Sequence, residues 1–547
     1  MRRRVARLGD DNGVLDRALR EALIDDAPVA EHRIDAATRR RNEWTRKIDV
    51  EGKAFWYRAG SLVDAASDVD FPGVVVQFRL RKEVSENTGA IEKTETQDKA
   101  LLVDDGIAKV VNKAQCLDSE VNSMTLHTVK ASEVNATSFP DGSDLGSQDR
   151  VKETLALADK EFPTKYAHFV VCTSSLLVPA EVEFLKLSVH RDFVVEESIE
   201  HISCIDEKHI RSVMRINFVD ESGVDAGGVH REWFMLLNEL LVGPTTGLFT
   251  CTNPSDQTYY LNANSRFDNG DDHLSYFYAV GRLVGRALLE GDTLGFHLSL
   301  PLLKIVLGIP VMFSDLAYFD PEAYKSMLWI LEHDGVETLE LNFSVTEKRG
   351  NEVVVVDLIP DGRNVAVTDP NKRQYLERKF QYMLFESVAS QLCVFLKGVY
   401  EVIPKHLLAL FDPEELDYVL CGSDEIDVTD WEKHSKHSKN LRRARALRWF
   451  WELVRDMPNE YRRRLLQFAT GCSRVPLVGF KGLTSYDGRI CPFTLKGVAY
   501  DAQDSSQYIR SHACFNRLDL PLYTDRSEMK KILYATLGTE AYGFTTA

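Results

Sequence analysis

Residues 511–523 read SHACFNRLDLPLY, which places Cys514 two residues after His512 and just ahead of Asn516, Arg517 and Asp519. A thiol readily accepts an acyl group, because even a few per cent of thiolate is strongly nucleophilic and a thioester stays reactive toward amines. In extended chain, His512 and Asn516 point to the same side as Cys514, since side chains alternate with period two. An imidazolium there favours the thiolate, and the amide can bond an acyl oxygen or orient the loop. Arg517 and Asp519 alternate out of that set, and spacing alone gives them no role. The competing reading is a buried structural cysteine.

Three chemistries use such a thiol. A tyrosine phosphatase needs a five-residue, amide-lined loop between Cys and Arg, whereas Arg517 follows Cys514 by three positions with no glycine between. A papain-like protease needs a histidine far downstream, and none follows Cys514. A thioester carrier needs a reachable thiol on a mobile platform and little else, so this third chemistry stays open.

The elements that must position Cys514 come from a chain of 547 residues, enough for about three domains of ordinary size. The net charge of -17 excludes a protein built to bind nucleic acid, since that affinity rests on clustered Lys and Arg. Nine cysteines without a CxxC pair fit reduced thiols in the cytosol or nucleus rather than a disulfide framework or a zinc site. MRRRVARLGDDNG meets Asp10 and Asp11 before any apolar run, so it does not read as a signal peptide, and no transmembrane segment is expected. The expected location is cytoplasmic, with the nucleus also open.

Residues 1–70 mix helical and polar stretches, with a hairpin expected in EWTRKIDVEGKAFWYRAG, similar to the first half of a WW module. Residues 71–189 read as a small β-rich domain from GVVVQFRLR, ALLV, AKVV, AHFVVC and VEFLKLSV. Long amphipathic helices then begin: DHLSYFYAVGRLVGRALLEG stops at Gly291, and RQYLERKFQYMLFESVASQLCVFLKGVYEVI must break or kink around Gly398 and Pro404. EKHSKHSKN has no apolar side chain and reads as a flexible connector; its His434 and His437 have no Cys or carboxylate cluster with which to hold a metal. RALRWFWELV and YRRRLLQFATG follow as helices, the second ending at Gly471, and then short strands and a last helix. GVDAGG lacks the GK[ST] of a phosphate loop, and DESGVDAGG lacks the ligand pattern of a calcium loop.

From about residue 190 onward the chain resembles the HECT ubiquitin ligases. The motifs occur in order: GVDAGGVHREWF, YLNANS, DHLSYFYAVGRLVGRAL, SMLWILEHD, VTDPNKRQYLE, GVYEVIPKHLLALFDPEELDYVLCG, DVTDWEKH, WFWELV, LLQFATGCSRVPLVGF and HACFNRLDLPLY. It looks most like the subclass that often carries WW domains. Two positions depart from the pattern: Ala513 and Cys472 stand where threonine is common. The resemblance implies an α+β, bilobal domain: a larger, mostly helical lobe over 190–432, a hinge at 433–440 and a smaller α/β lobe over 441–547. It implies that Cys514 takes ubiquitin from a conjugating enzyme as a thioester and passes it to a substrate lysine, without a cofactor or metal. Supporting roles then fall to His512, Asn516, Arg517 and Asp519. Phe544 would contact the larger lobe or ubiquitin, Met327 and Leu331 the conjugating enzyme, and Tyr259 and Tyr260 a second, non-covalent ubiquitin. The alternative from another class is a two-lobed scaffold that binds ubiquitin and conjugating enzymes and transfers nothing, a reading that Ala513 favours.

Overall fold

The computed structural model describes residues 45–48, 54–57, 74–80, 108–110 and 124–130, and then residues 157–538 except 159, 161, 220, 222–227, 244, 255–256, 351, 423–425, 472–474, 476–478, 484–489 and 501–508. The expected hairpin is present: β1 (Thr45–Ile48) and β2 (Ala54–Tyr57) pair antiparallel, with Arg46 opposite Trp56. β3 (Val74–Leu80) pairs with β5 (Met124–Lys130) in the same sense, while β4 (Ala108–Val110) lies parallel to β6 (Phe184–Val189). One strand expectation fails. AHFVVC lies inside the helix α1 (Phe162–Leu176), where Ala167, Phe169 and Val170 are buried; a continuous apolar run fits a buried helix as well as a buried strand.

β6 pairs in turn with β7 (Val213–Phe218), again parallel, and α2 (Val194–Cys204) and α3 (Gly228–Leu241) pack beside them. A second small sheet orders β10 (His297–Leu298), β9 (Thr258–Leu261) and β8 (Phe249–Asn253). At the centre lies α4 (His273–Glu290), buried around nearly its whole circumference and ended by Gly291 at φ 78°, whose N–H donates to the Ala287 carbonyl. Both buried guanidinium groups of α4 have an acid partner: Arg282 donates to the carbonyls of Ile202 (2.9 Å) and Ile205 (2.6 Å) and pairs with Glu401. Arg286 donates to Ile210 and Ser212 and pairs with Glu290.

Further along come α5 (Leu300–Leu307), α6 (Pro321–Glu332), the β11–β12 hairpin (Ser344–Arg349 and Glu352–Asp357), α7 (Lys372–Leu384), α8 (Ala389–Val402) and α9 (Pro413–Cys421). The stretch Lys372–Val402 is apolar and long enough for a membrane span by composition, yet it is interrupted at Glu386–Val388 and most of its apolar window is buried inside the protein. The break thus precedes Gly398, which sits within α8. There a Cβ would collide with the Tyr278 carbonyl of α4, and a Cβ on Gly281 would collide with the Phe395 carbonyl of α8. The two glycines let the helix backbones touch.

Buried apolar residues form two clusters, one from Val74 to Cys421 and one from Ile426 to Leu537. The first cluster crosses position 190, since Phe162, Phe169, Leu185 and Leu187 belong to it. The second holds α10 (Val428–Lys433), α11 (Arg445–Asp456), α12 (Asn459–Thr470) and α13 (Arg526–Gly538). These pack on a sheet ordered β13 (Lys436–His437), β14 (Thr494–Val498), β16 (Arg517–Pro521) and β15 (Arg510–His512).

The reading of 433–440 as a free connector is therefore corrected. Lys436 N–H donates to the Phe493 carbonyl at 2.8 Å, Ser438 N–H to Leu495 at 3.0 Å, and the Asn440 amide to Gly497 at 2.9 Å. A strand edge needs only backbone groups to join a sheet, so a segment without apolar side chains can still be held. Upstream of it, Trp431 is fully buried and stacks on Phe480 at 4.8 Å. The passage from one cluster to the other falls between Cys421 and Ile426.

Candidate active site

Cys514 lies in a short 3-10 turn, Ala513–Phe515, that joins the antiparallel strands β15 and β16. The expectation of extended chain through this point is corrected. The Asn516 N–H donates to the Ala513 carbonyl at 3.2 Å, and Asn516 itself adopts φ 48°, ψ 44°, so the alternation of side chains is broken at the cysteine. Asparagine tolerates the left-handed region better than most residues because its short polar side chain can bond locally. Here the fully buried Asn516 amide donates to the Cys491 carbonyl at 2.7 Å, and the Asn516 carbonyl accepts from Thr494 N–H at 2.8 Å. Asn516 therefore pins the turn to the segment leading into β14.

Two further contacts brace the turn. The Cys491 thiol donates to the Phe515 carbonyl at 3.1 Å, and the Ser511 hydroxyl donates to the Phe468 carbonyl of α12. Downstream, Asp519 resolves the two residues whose roles spacing left open. Its carboxylate lies 3.2 Å from His512 Nε2 and 3.1 Å from Arg517 Nε, so a mostly buried acid joins two basic groups across β15 and β16. His512 keeps 37% of its side chain exposed, and Phe515 is 53% exposed beside the cysteine. Ala513 is buried. The site is a braced turn that carries a cysteine, with an exposed ring and an acid–base cluster next to it. Chemically it suits a covalent carrier whose work is positioning.

Two other cysteines fit the role less well. Cys393 and Cys421 are buried, and burial pushes the Cys393 thiol up to about 12.

The more distant candidates separate. Met327 is completely buried in the first cluster, and Leu331 is half-buried against it, so the assignment of Met327 to a partner contact is corrected: helical spacing put it on the inner face. The outer face of α6 instead carries Trp329, 47% exposed and stacked on His333 at 4.3 Å, which the sequence reading missed although it lies in the same motif. Tyr260 is likewise buried. Its hydroxyl donates to the Leu384 carbonyl, its ring packs edge-on to Phe319 at 4.9 Å, and burial raises its pKa far above the ordinary value. Tyr260 is thus excluded from a surface contact. Tyr259 is half-buried, edge-on to Phe296 at 5.9 Å. Phe544 and Cys472 lie outside the described residues.

Two contributions were not legible in the sequence: Cys491, far from the motif, and Arg231 of α3. The Arg231 side chain donates to the Thr470 carbonyl at 3.4 Å and borders Gly471, whose missing Cβ would also lie 4.0 Å from that of Ala513.

Comparison with known proteins bears on this site. The family model described as "HECT-domain (ubiquitin-transferase)" matches residues 234–547. The E3 ubiquitin-protein ligase TOM1-like of Neurospora crassa is 37% identical over 365 residues, which is 66% of this chain and 9% of that protein. E3 ubiquitin-protein ligase RSP5 of Saccharomyces cerevisiae is 36% identical over 381 residues, 70% of this chain and 46% of that protein. For E3 ubiquitin-protein ligase pub1 of Schizosaccharomyces pombe the figures are 33% over 385 residues, 70% and 49%. The matched stretch thus spans less than half of each of these relatives.

Proposed function

Since the chain belongs to the HECT-domain (ubiquitin-transferase) family, we propose that it is a ubiquitin ligase that accepts ubiquitin as a thioester on Cys514 and transfers it to a substrate lysine. The observation that carries this reading is the braced turn: a cysteine of the family motif held at a strand junction by Asn516, Cys491 and Ser511. In the first step the Cys514 thiolate attacks the thioester carbonyl of a charged conjugating enzyme, and that enzyme's thiolate leaves. In the second, a deprotonated lysine amine attacks the new thioester, an isopeptide bond forms and the Cys514 thiolate is released. One thioester replaces another in the first step, so there is little thermodynamic barrier and catalysis rests on orientation.

In this reading the two buried clusters are the two lobes. The smaller carries Cys514, and the larger docks the conjugating enzyme at the exposed face of α6, with Trp329 as the apolar anchor in place of Met327. Asp519 holds His512 and Arg517 beside the carrier. Tyr259 stays on the rim as the remaining tyrosine for a non-covalent ubiquitin contact, and Phe544 keeps its assignment to a lobe or ubiquitin contact.

A single-turnover assay tests the proposal: the chain is mixed with conjugating enzymes charged with labelled ubiquitin and resolved on reducing and non-reducing gels. The expected result is a band that disappears on reduction and is missing from Cys514→Ala. No such band with any of a broad enzyme panel would favour the scaffold, for which the buried Ala513 at a position often occupied by threonine is the specific feature; Ala513→Thr would then be the variant to assay.

A further inference from the structure

The start of α3 and the end of α4 meet at a group of side chains that thioester chemistry does not use. His230, in the first turn of α3, is 4% exposed, with its ring 5.5 Å from that of Trp233 and 6.4 Å from that of Phe234. Its Nε2 has no hydrogen-bond partner among the described residues. A buried imidazole nitrogen left without a partner is unfavourable unless something occupies it. What faces the ring is a pair of carboxylates. Glu290 ends α4 and Asp292 follows Gly291, and one oxygen from each lies within 4.8 Å of the other and of a His230 ring nitrogen.

Electrostatics favours a cation here. Both acids stand at the C-terminal end of an 18-residue helix, where the aligned peptide dipoles already place negative charge. Arg286 pairs with Glu290 and shares its guanidinium with the carbonyls of Ile210 and Ser212. A set of one imidazole nitrogen and two carboxylate oxygens suits a borderline transition metal better than calcium or magnesium, which take oxygen ligands alone. Gly291 in the left-handed region turns the chain so that Asp292 returns beside Glu290.

We propose that His230, Glu290 and Asp292 form a binding site for a divalent transition metal of the zinc class, joining the N-terminus of α3 to the C-terminus of α4. With metal–ligand bonds of ~2.0–2.2 Å, tetrahedral donors stand about 3.4 Å apart, so the group draws together by roughly an ångström on binding. Asp292 is half-buried and provides the open side, where a water completes the coordination. The metal is structural: α3 also carries Arg231 and Met235, which touch the unit bearing Cys514, so the site fixes the helix on which that unit rests. The ligands come from two different helices, which is why the sequence offers no metal motif.

The test uses the full chain stripped by a chelator and titrated with Co2+ alone, followed by visible absorption and thermal unfolding. The expected result is one Co2+ per chain with ligand-field bands but no thiolate-to-metal charge transfer, and a rise in Tm on addition of metal. His230→Ala and Asp292→Asn are each expected to weaken binding by more than the ~10- to 100-fold that follows loss of a residue merely supporting a ligand. Asp292→Asn changes a half-buried side chain and keeps the test decisive if His230→Ala does not fold. Unchanged binding in Asp292→Asn, absence of binding in the wild type, or charge-transfer bands abolished by Cys421→Ser would each overturn the proposal. The last would place the metal on His297, Asp417 and Cys421, a group already linked by its own hydrogen bonds.

Discussion

At the scale of single residues, Asn516 does two things that can be separated. Its backbone occupies φ 48°, and its buried amide donates to the Cys491 carbonyl at 2.7 Å. The left-handed conformation costs an ordinary L-residue about 1–2 kcal/mol, and a buried carbonyl that loses its donor costs about 1–3 kcal/mol. Asn516→Ala should therefore destabilise the smaller unit by roughly 2–5 kcal/mol and slow the proposed thioester formation on Cys514. Asn516→Gly frees the backbone but does not restore the hydrogen bond, so it should recover about 1 kcal/mol relative to alanine, read as the midpoint of urea unfolding. Equal stability of the two variants would show that the turn is not strained. The sequence reading set Asn516 beside Cys514 in extended chain, whereas the structure puts a turn there, because strand periodicity cannot reveal a turn inserted between two short strands. Asp519 is the converse: its place in the motif was read, and its bridging of His512 and Arg517 emerges only when β15 folds back on β16.

Among elements, the crossing of α4 and α8 makes a sharp prediction. Alanine is a better helix former than glycine by about 1 kcal/mol, so on propensity alone Gly281→Ala or Gly398→Ala would stabilise. Each added methyl would meet backbone of the opposite helix, and overpacking of that kind costs about 1–3 kcal/mol, or more where backbone cannot shift. The net expectation is a loss, seen as a lower Tm for the larger unit while the smaller unit unfolds as before; a neutral or raised Tm would mean that the helices are not in contact there. Helix ends were legible because their signals are local. Gly291 and Gly471 stop α4 and α12 in the left-handed conformation, each donating its N–H to the carbonyl four residues back. Gly398 was misread as punctuation, since a glycine that permits close approach and one that ends a helix look alike in sequence. Met327 and Tyr260 failed for a related reason: the face that an amphipathic helix or a short strand buries is set by partners distant in the chain.

Among the described residues of the whole molecule, two buried clusters follow one another along the chain, and side-chain contacts link them. Across that boundary the Gln467 amide donates to Met235 Sδ at 2.8 Å, and Arg231 reaches the Thr470 carbonyl at 3.4 Å. Interactions of this kind contribute about 0.5–1.5 kcal/mol each, little beside what a core of its own supplies to each unit. The two units should therefore unfold as separate transitions in calorimetry, with Asn516 variants shifting one and Gly281 variants the other. The double variant Arg231→Ala, Met235→Ala removes contacts without opening either core, so the two transitions should stay separate, with the earlier one lowered by no more than about 1–3 kcal/mol. Small-angle scattering of that variant should instead report a larger radius of gyration, because the units no longer hold one orientation. A single merged transition, or an unchanged radius in the double variant, would mean that the boundary is held by more than these contacts. Positioning of Cys514 would then be a property of one rigid body, and the proposed transfer from conjugating enzyme to lysine would have to proceed with the braced turn fixed against α3.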